Sequence, residues 1–208
     1  MANRKFYVVW KGRVPGIYET WDACSEQITG YSGAEYKSFL TRTEAEKAYS
    51  EAYEEYKGKK PTTYTPETLA LIGKPIADSY SVDASCIGNP GIMEYRCVHT
   101  TSGEVLFKQG PYENGTNNIG EFLAIVHALA LFQKREINLP IYTDSETALN
   151  WVKIKKCKTK LPQDDKNEKI FELISRAEDW LLNHEVTTTI NKWDTNAWGE
   201  IPADYGRK

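Results

Sequence analysis

Apolar positions recur along this chain with two different periods, two residues and three to four, and the switches between them mark its elements. Phe6-Tyr7-Val8-Val9-Trp10 predicts a strand, Gly12 to Gly16 a turn, and Gly16-Ile17-Tyr18 a short second strand. A helix entered through Thr20 follows as far as Ile28, and Tyr36 to Phe39 is a third strand candidate. Thr43 and Glu46 have capping-box spacing, and Ala45, Ala48, Tyr49 and Ala52 then recur at helical period.

The pattern breaks where Gly58, Pro61, Pro66 and Pro75 gather. This predicts a first domain over 1–57, a linker over 58–75 and a second domain over 76–208. Leu69 to Ile72, inside the linker, is expected to dock a helical turn onto the second domain. From Ile76 the pattern predicts strands over 76–83, 91–100 and 105–111, a helix over 119–132 and a strand over 140–143. A helix marked by Ala148, Leu149 and Val152 follows, then one marked by Ile170, Ile174, Ala177 and Leu181. A strand over 186–193 and a short helix from Pro202 complete the chain. Three antiparallel strands followed by alternating helices and strands predict an α/β fold, a mixed sheet covered by helices.

Composition narrows the function classes. Charged residues make up 26%, and the longest apolar run, 122–132, is too short to span a bilayer. The N-terminal apolar run is too brief for a signal peptide. Cys24, Cys86, Cys97 and Cys157 form no CxxC pair, which reads as free thiols in a reducing cytoplasm. A net charge of −3 excludes a uniformly basic coat, but not a local patch for phosphates.

Chemistry concentrates in four acids. Asp83 sits at the predicted end of a strand, where Asp is disfavoured and costly to bury alone. Glu121, with Asn118 as cap, holds the capping-box position; alternatively it points to the sheet edge above Ala124, Ile125 and Ala128. Asp144 follows a strand and reads equally as a helix cap or a catalyst, while Asp204 alone reads as a surface acid. Together they could converge at one sheet end, and their mutual repulsion then requires a positive partner. Mg²⁺ suits hard oxygen ligands, and two ions about 4 Å apart can activate water and stabilise a leaving oxygen. His127, within an apolar helix, reads as structural.

The stretches SVDASCIGNPG, GTNNIGEFLAIVHAL, IYTDSETALNWV and WDTNAWGEIPADYGRK occur in this order. By them residues 76–208 closely resemble the type 1 ribonuclease H family, especially bacterial members without the basic protrusion. The resemblance implies a five-stranded mixed sheet and metal-dependent endonucleolytic cleavage of the RNA strand of an RNA/DNA hybrid. It implies 5′-phosphate and 3′-hydroxyl products and two Mg²⁺ ions, with Mn²⁺ as a substitute. It carries metal binding onto Asp83, Glu121, Asp144 and Asp204, and an auxiliary role onto Glu200. Ser85, Cys86, Gly88 and Asn89 match a wall beside the RNA strand, although Gly88 to Gly91 also reads as a plain turn. Asn117 and Asn118 match polar contacts or caps; Thr116, Asn118, Thr159 and Thr195 match a phosphate pocket for DNA. Trp151 matches a sugar contact or a core residue, and the lysines from Lys153 to Lys160 a backbone contact or a solvated face. Two departures stand out: no histidine lies between Trp193 and Asp204, and Glu146 replaces a glutamine.

FYVVWKGRVPGIYETWDAC and AEYKSFLTRTEAEKAY make residues 5–50 resemble the hybrid-binding domain that precedes some of these enzymes. That resemblance implies a three-stranded sheet with two helices that grips hybrid and, more weakly, duplex RNA. Tyr7, Trp21 and Tyr36 match its aromatic positions and Lys37 a basic one, with Ser38 replacing a second lysine. Lys11, Arg13 and Lys37 are the candidate basic patch; Trp21 also reads as a core side chain. The expected partner is RNA/DNA hybrid, with no membrane, for a monomeric protein. Other readings are a non-catalytic hybrid or duplex-RNA binder, and an integrase- or resolvase-type nuclease on a related sheet.

Overall fold

In the computed structural model, which describes residues 5–57 and 64–206, Val8 and Val9 set the layers of the first unit. Both lie on β1 (Phe6–Lys11), the central strand, flanked antiparallel by β2 (Gly16–Tyr18) and β3 (Glu35–Phe39). Neighbouring strand residues point to opposite faces. Val8 therefore packs with Phe39 and with Ala45 and Ala48 of α2 (Arg42–Tyr49). Val9 packs on the other face with Cys24 and Ile28 of α1 (Trp21–Ile28).

Thr20 caps α1 as predicted, accepting from Ala23 N. The cap of α2 is Thr41, whose hydroxyl accepts from Glu44 N at 3.2 Å, in place of the predicted Thr43. Glu46 instead accepts from Arg42 Nε at 2.9 Å. Gly58 and Pro61 of the predicted linker lie outside the described residues. A helix, α3 (Pro66–Ile72), forms inside that stretch, and its buried Thr68 donates to Glu44 Oε1 at 2.7 Å. This corrects the expected docking: α3 belongs to the first unit, and the chain divides at Met1–Gly73 and Lys74–Lys208.

The second unit contains β4 (Tyr80–Gly88), β5 (Gly91–His99), β6 (Val105–Gly115), α4 (Asn117–Arg135), β7 (Ile141–Thr143), α5 (Glu146–Lys153), α6 (Glu168–Asn183), β8 (Ile190–Lys192) and α7 (Thr195–Trp198). Its five-stranded sheet runs β6-β5-β4-β7-β8, with β4, β5 and β6 antiparallel and β7 and β8 added in parallel. Val82, Ala84, Met93, Tyr95 and Cys97 form one core with Phe122, Ile125 and Leu129 of α4. Gly120 permits the close approach: a Cβ there would lie 2.6 Å from Ala84 Cβ.

Several boundaries differ from expectation, among them β8, which covers only Ile190–Lys192 of the strand predicted over 186–193. The first strand begins at Tyr80 and runs through Asp83 to Gly88, because pairing with β5 continues to the Gly88–Gly91 turn. No helix starts at Pro202; Asp194 instead caps α7, accepting from Asn196 N and Ala197 N. All four cysteines are free thiols. Among the described residues no helix is long and apolar enough to cross a membrane.

Candidate active site

Asp83 lies in mid-strand, paired on one side with Arg96 of β5. On its other side β4 pairs with β7 only at Tyr80–Ile141 and Ser81–Tyr142. Asp83 and Asp144 each stand two residues beyond that last pair, so both acids leave the sheet where its hydrogen bonding stops. The expectation that Asp83 ends its strand is thus corrected, since the break is in the pairing with β7.

Glu121 comes to the same place from α4. The helix is capped by Thr116, whose hydroxyl accepts from Ile119 N at 3.4 Å, and not by Asn118. Glu121 therefore lies beyond the capping-box position. Its carboxylate accepts from Asn117 Nδ2 at 3.0 Å and from Ser145 Oγ at 2.5 Å. Ser145 also caps α5, accepting from Ala148 N at 3.1 Å, so capping does not explain Asp144. Asp144 is held through its main chain, whose carbonyl accepts from Lys192 Nζ at 2.5 Å. One oxygen from each of Asp83, Glu121 and Asp144 lies within 4.8 Å of the others.

Burial dominates the electrostatics. It pushes Asp83 up to about 8, reinforced by Asp144, Glu121 and Asp204 and opposed by a hydrogen bond from Ala84 N. Burial also raises Glu121 to about 7, against the Ser145 hydrogen bond and the Lys192 charge. Asp144 is raised by burial, with Lys192 opposing and Glu200 and Asp204 adding repulsion. Three converging oxygen donors, two buried and one half-buried, that resist ionisation together are a fitting site for a hard divalent cation.

Asp204 lies close enough to repel Asp83 and Asp144, but outside the three-acid group. Its carboxylate accepts from Gly206 N at 2.8 Å. Arg96 donates to the carbonyls of Ala203 and Asp204 at 2.8 and 2.5 Å. Arg96, Lys192 and the hydrogen bond from Ser145 to Glu121 escaped the sequence reading. Arg96 was within reach, because counting back from the Gly88–Gly91 turn pairs residue 96 with residue 83.

The expected substrate residues are spread over several elements. Ser85 and Cys86 lie on β4, and the Cys86 thiol donates to Gly115 O at 3.4 Å. Gly88 and Asn89 form the exposed hairpin, and Asn89 Oδ1 accepts from Asn117 N at 3.4 Å. Asn118 is the second residue of α4, exposed Glu146 opens α5, and Thr195 opens α7. The Thr159 hydroxyl accepts from Leu161 N at 3.1 Å. Trp151 packs in the core, its ring 6.1 Å from that of Phe122, as the core alternative expected.

On the first unit Trp21 links Tyr7 and Tyr36, with ring centroids 5.6 and 6.1 Å away. Trp21 is 47% exposed and Tyr36 41%, so the core reading of Trp21 falls. Lys37 stands apart from these rings. Strand alternation puts it with Phe39, on the face away from Tyr36, where its Nζ donates to Tyr56 O at 2.8 Å. Arg13 donates to Glu26 O at 2.6 Å, while Lys11 is exposed at the end of β1.

A family model described as RNase H matches residues 79–199, and one described as the ribonuclease H1 N-terminal domain matches residues 5–49. The ribonuclease H of Schizosaccharomyces pombe is 26% identical over 260 aligned positions, covering 97% of this chain and 95% of the yeast protein. That of Crithidia fasciculata is 62% identical over 48 residues, 23% of this chain but only 10% of its own length. A third, from Nitratidesulfovibrio vulgaris, is 38% identical over 73 residues, 35% of this chain and 46% of the relative. The catalytic-type match alone covers more than half of the sequence and includes Asp83, Glu121 and Asp144. With an N-terminal hybrid-binding type of domain ahead of an α/β unit bearing those three converging acids, the chain belongs to the ribonuclease H family.

Proposed function

We propose that this protein is an endonuclease that hydrolyses the RNA strand of RNA/DNA hybrids, leaving 5′-phosphate and 3′-hydroxyl ends. The observation that carries the reading is the meeting of Asp83, Glu121 and Asp144 oxygens within 4.8 Å. Two Mg²⁺ ions, or Mn²⁺ in their place, would activate the attacking water there and offset charge on the leaving oxygen. Asp83 and Asp144 would hold them, with Asp204 and Glu200 at the margin. Glu121, oriented by Asn117 and Ser145, would accept a hydrogen bond from the 2′-hydroxyl beside the scissile phosphate, a group that DNA lacks.

Asn117, which touches this carboxylate, meets Asn89 Oδ1, and the Ser85–Asn89 segment would supply the polar wall for RNA. The connection from α5 to α6 forms no helix, in keeping with the bacterial subgroup that lacks a basic protrusion. The first unit would grip hybrid by laying Trp21 and Tyr36 against deoxyriboses, with Lys11 and Arg13 facing phosphates. Free thiols support a reducing, cytoplasmic setting.

Asp144→Asn tests the reading. The change keeps shape and removes one anionic oxygen, and the helix cap at Ser145 is untouched. Cleavage should fall by at least about 100-fold, with the fold and hybrid binding retained. Near-parental cleavage by the folded variant would remove Asp144 from the centre.

A further inference from the structure

We propose that Arg96 is a positioning residue, fixing the terminal segment that carries Asp204 and thereby the affinity of the acid cluster for divalent cations. The inference rests on the nuclease reading above and deepens it.

Residues 203–206 belong to no helix or strand. The placement of Asp204 therefore depends on what holds its irregular backbone. Behind it, Ile201 packs with Tyr142, Trp193 and Trp198, and Asp204 N donates to Ile201 O at 2.7 Å. Ahead of it, Gly206 N closes onto its carboxylate. From the sheet, Arg96 supplies a further hold. Its Nε donates to Ala203 O and its Nη2 to Asp204 O, at 2.8 and 2.5 Å, and its guanidinium lies 4.5 Å from the Tyr205 ring centroid. Lys108, the cross-strand partner of Arg96, approaches the same ring at 5.4 Å and is fixed by Glu94 at 2.7 Å.

The choice of atoms matters. Arg96 binds the main-chain oxygens of the terminal segment and leaves the Asp204 carboxylate oxygens uncommitted to it. Only a forked cation can reach two successive carbonyls while stacking on the next side chain. Because Arg96 also stands directly across the ladder from Asp83, one side chain couples the strand of the first acid to the loop of the fourth.

The test uses the full chain with Arg96→Ala, Arg96→Lys and Asp204→Asn. It measures thermal unfolding, hybrid KM and kcat against Mg²⁺, and Mn²⁺ affinity by calorimetry without substrate. Arg96→Ala should weaken metal affinity or lower kcat by about 10- to 100-fold, with hybrid KM unchanged, and Arg96→Lys should recover part of the loss. In the Asp204→Asn background Arg96→Ala should add nothing. Parental metal affinity and kcat in folded Arg96→Ala would overturn the proposal, as would losses that multiply with Asp204→Asn. If Arg96→Ala does not fold, Arg96→Lys decides: parental values on both readouts overturn the proposal. A parent chain that binds metal but cleaves no hybrid would sink the nuclease reading instead, leaving the calorimetric comparison to judge Arg96.

Discussion

The Ser145 hydroxyl donates to Glu121 Oε2 at 2.5 Å while accepting from Ala148 N at 3.1 Å. One side chain therefore caps α5 and holds the acid of α4 in place. Ser145→Ala should lose about 1 kcal/mol of cap stability. It should also cost about tenfold or more in cleavage, because the carboxylate loses an orienting donor. Unfolding and single-turnover assays check the two effects separately. A lowered Tm with parental cleavage would confine Ser145 to capping.

Metal-free stability should fall as pH rises. Burial pushes Asp83 up to about 8 and Glu121 up to about 7 in the folded chain, from ordinary carboxyl values of 3.8 and 4.5. The unfolded chain thus releases these protons first, and folding becomes less favourable above those lower values until the folded groups ionise as well. In chelator, Asp83→Asn should gain Tm relative to the parent from pH 5 to pH 9, since it never acquires the buried charge. Mg²⁺ should raise the parent Tm more at pH 8 than at pH 5. A parent–variant difference that stays constant over this range contradicts the account.

Much of this was legible from residues 76–208 alone. Strand alternation and helical period found the mixed sheet, and the four stretches around the acids identified the cluster. Other features depend on contacts that the local pattern does not contain. Asp83 disfavours a strand on its own, yet pairing with Arg96 carries β4 through it. Thr116, Asn117 and Asn118 are all competent caps, and tertiary packing of Ile119 and Phe122 decides among them. The helix α3 is tied to its unit by Thr68 and Glu44, 24 residues apart.

Trp21 and Lys37 should separate cleanly. Trp21→Ala removes an exposed ring and should weaken hybrid binding about tenfold or more, with little change in Tm. Lys37→Ala removes the hydrogen bond to Tyr56 O and should lower stability of the first unit while leaving the salt dependence of binding intact. Hybrid titrations of the full chain across a salt series measure both. A shallower salt slope for Lys37→Ala would return Lys37 to the phosphate contacts.

The most direct measurement offers the purified chain end-labelled RNA/DNA hybrid, duplex RNA, duplex DNA and single strands, each with Mg²⁺ and with EDTA. The acid cluster and the 2′-hydroxyl contact assigned to Glu121 predict Mg²⁺-dependent cuts in the RNA strand of the hybrid, ending in 5′-phosphate, with the DNA strand intact. Equal cleavage of duplex DNA, or hybrid cleavage that persists in EDTA, would contradict the account.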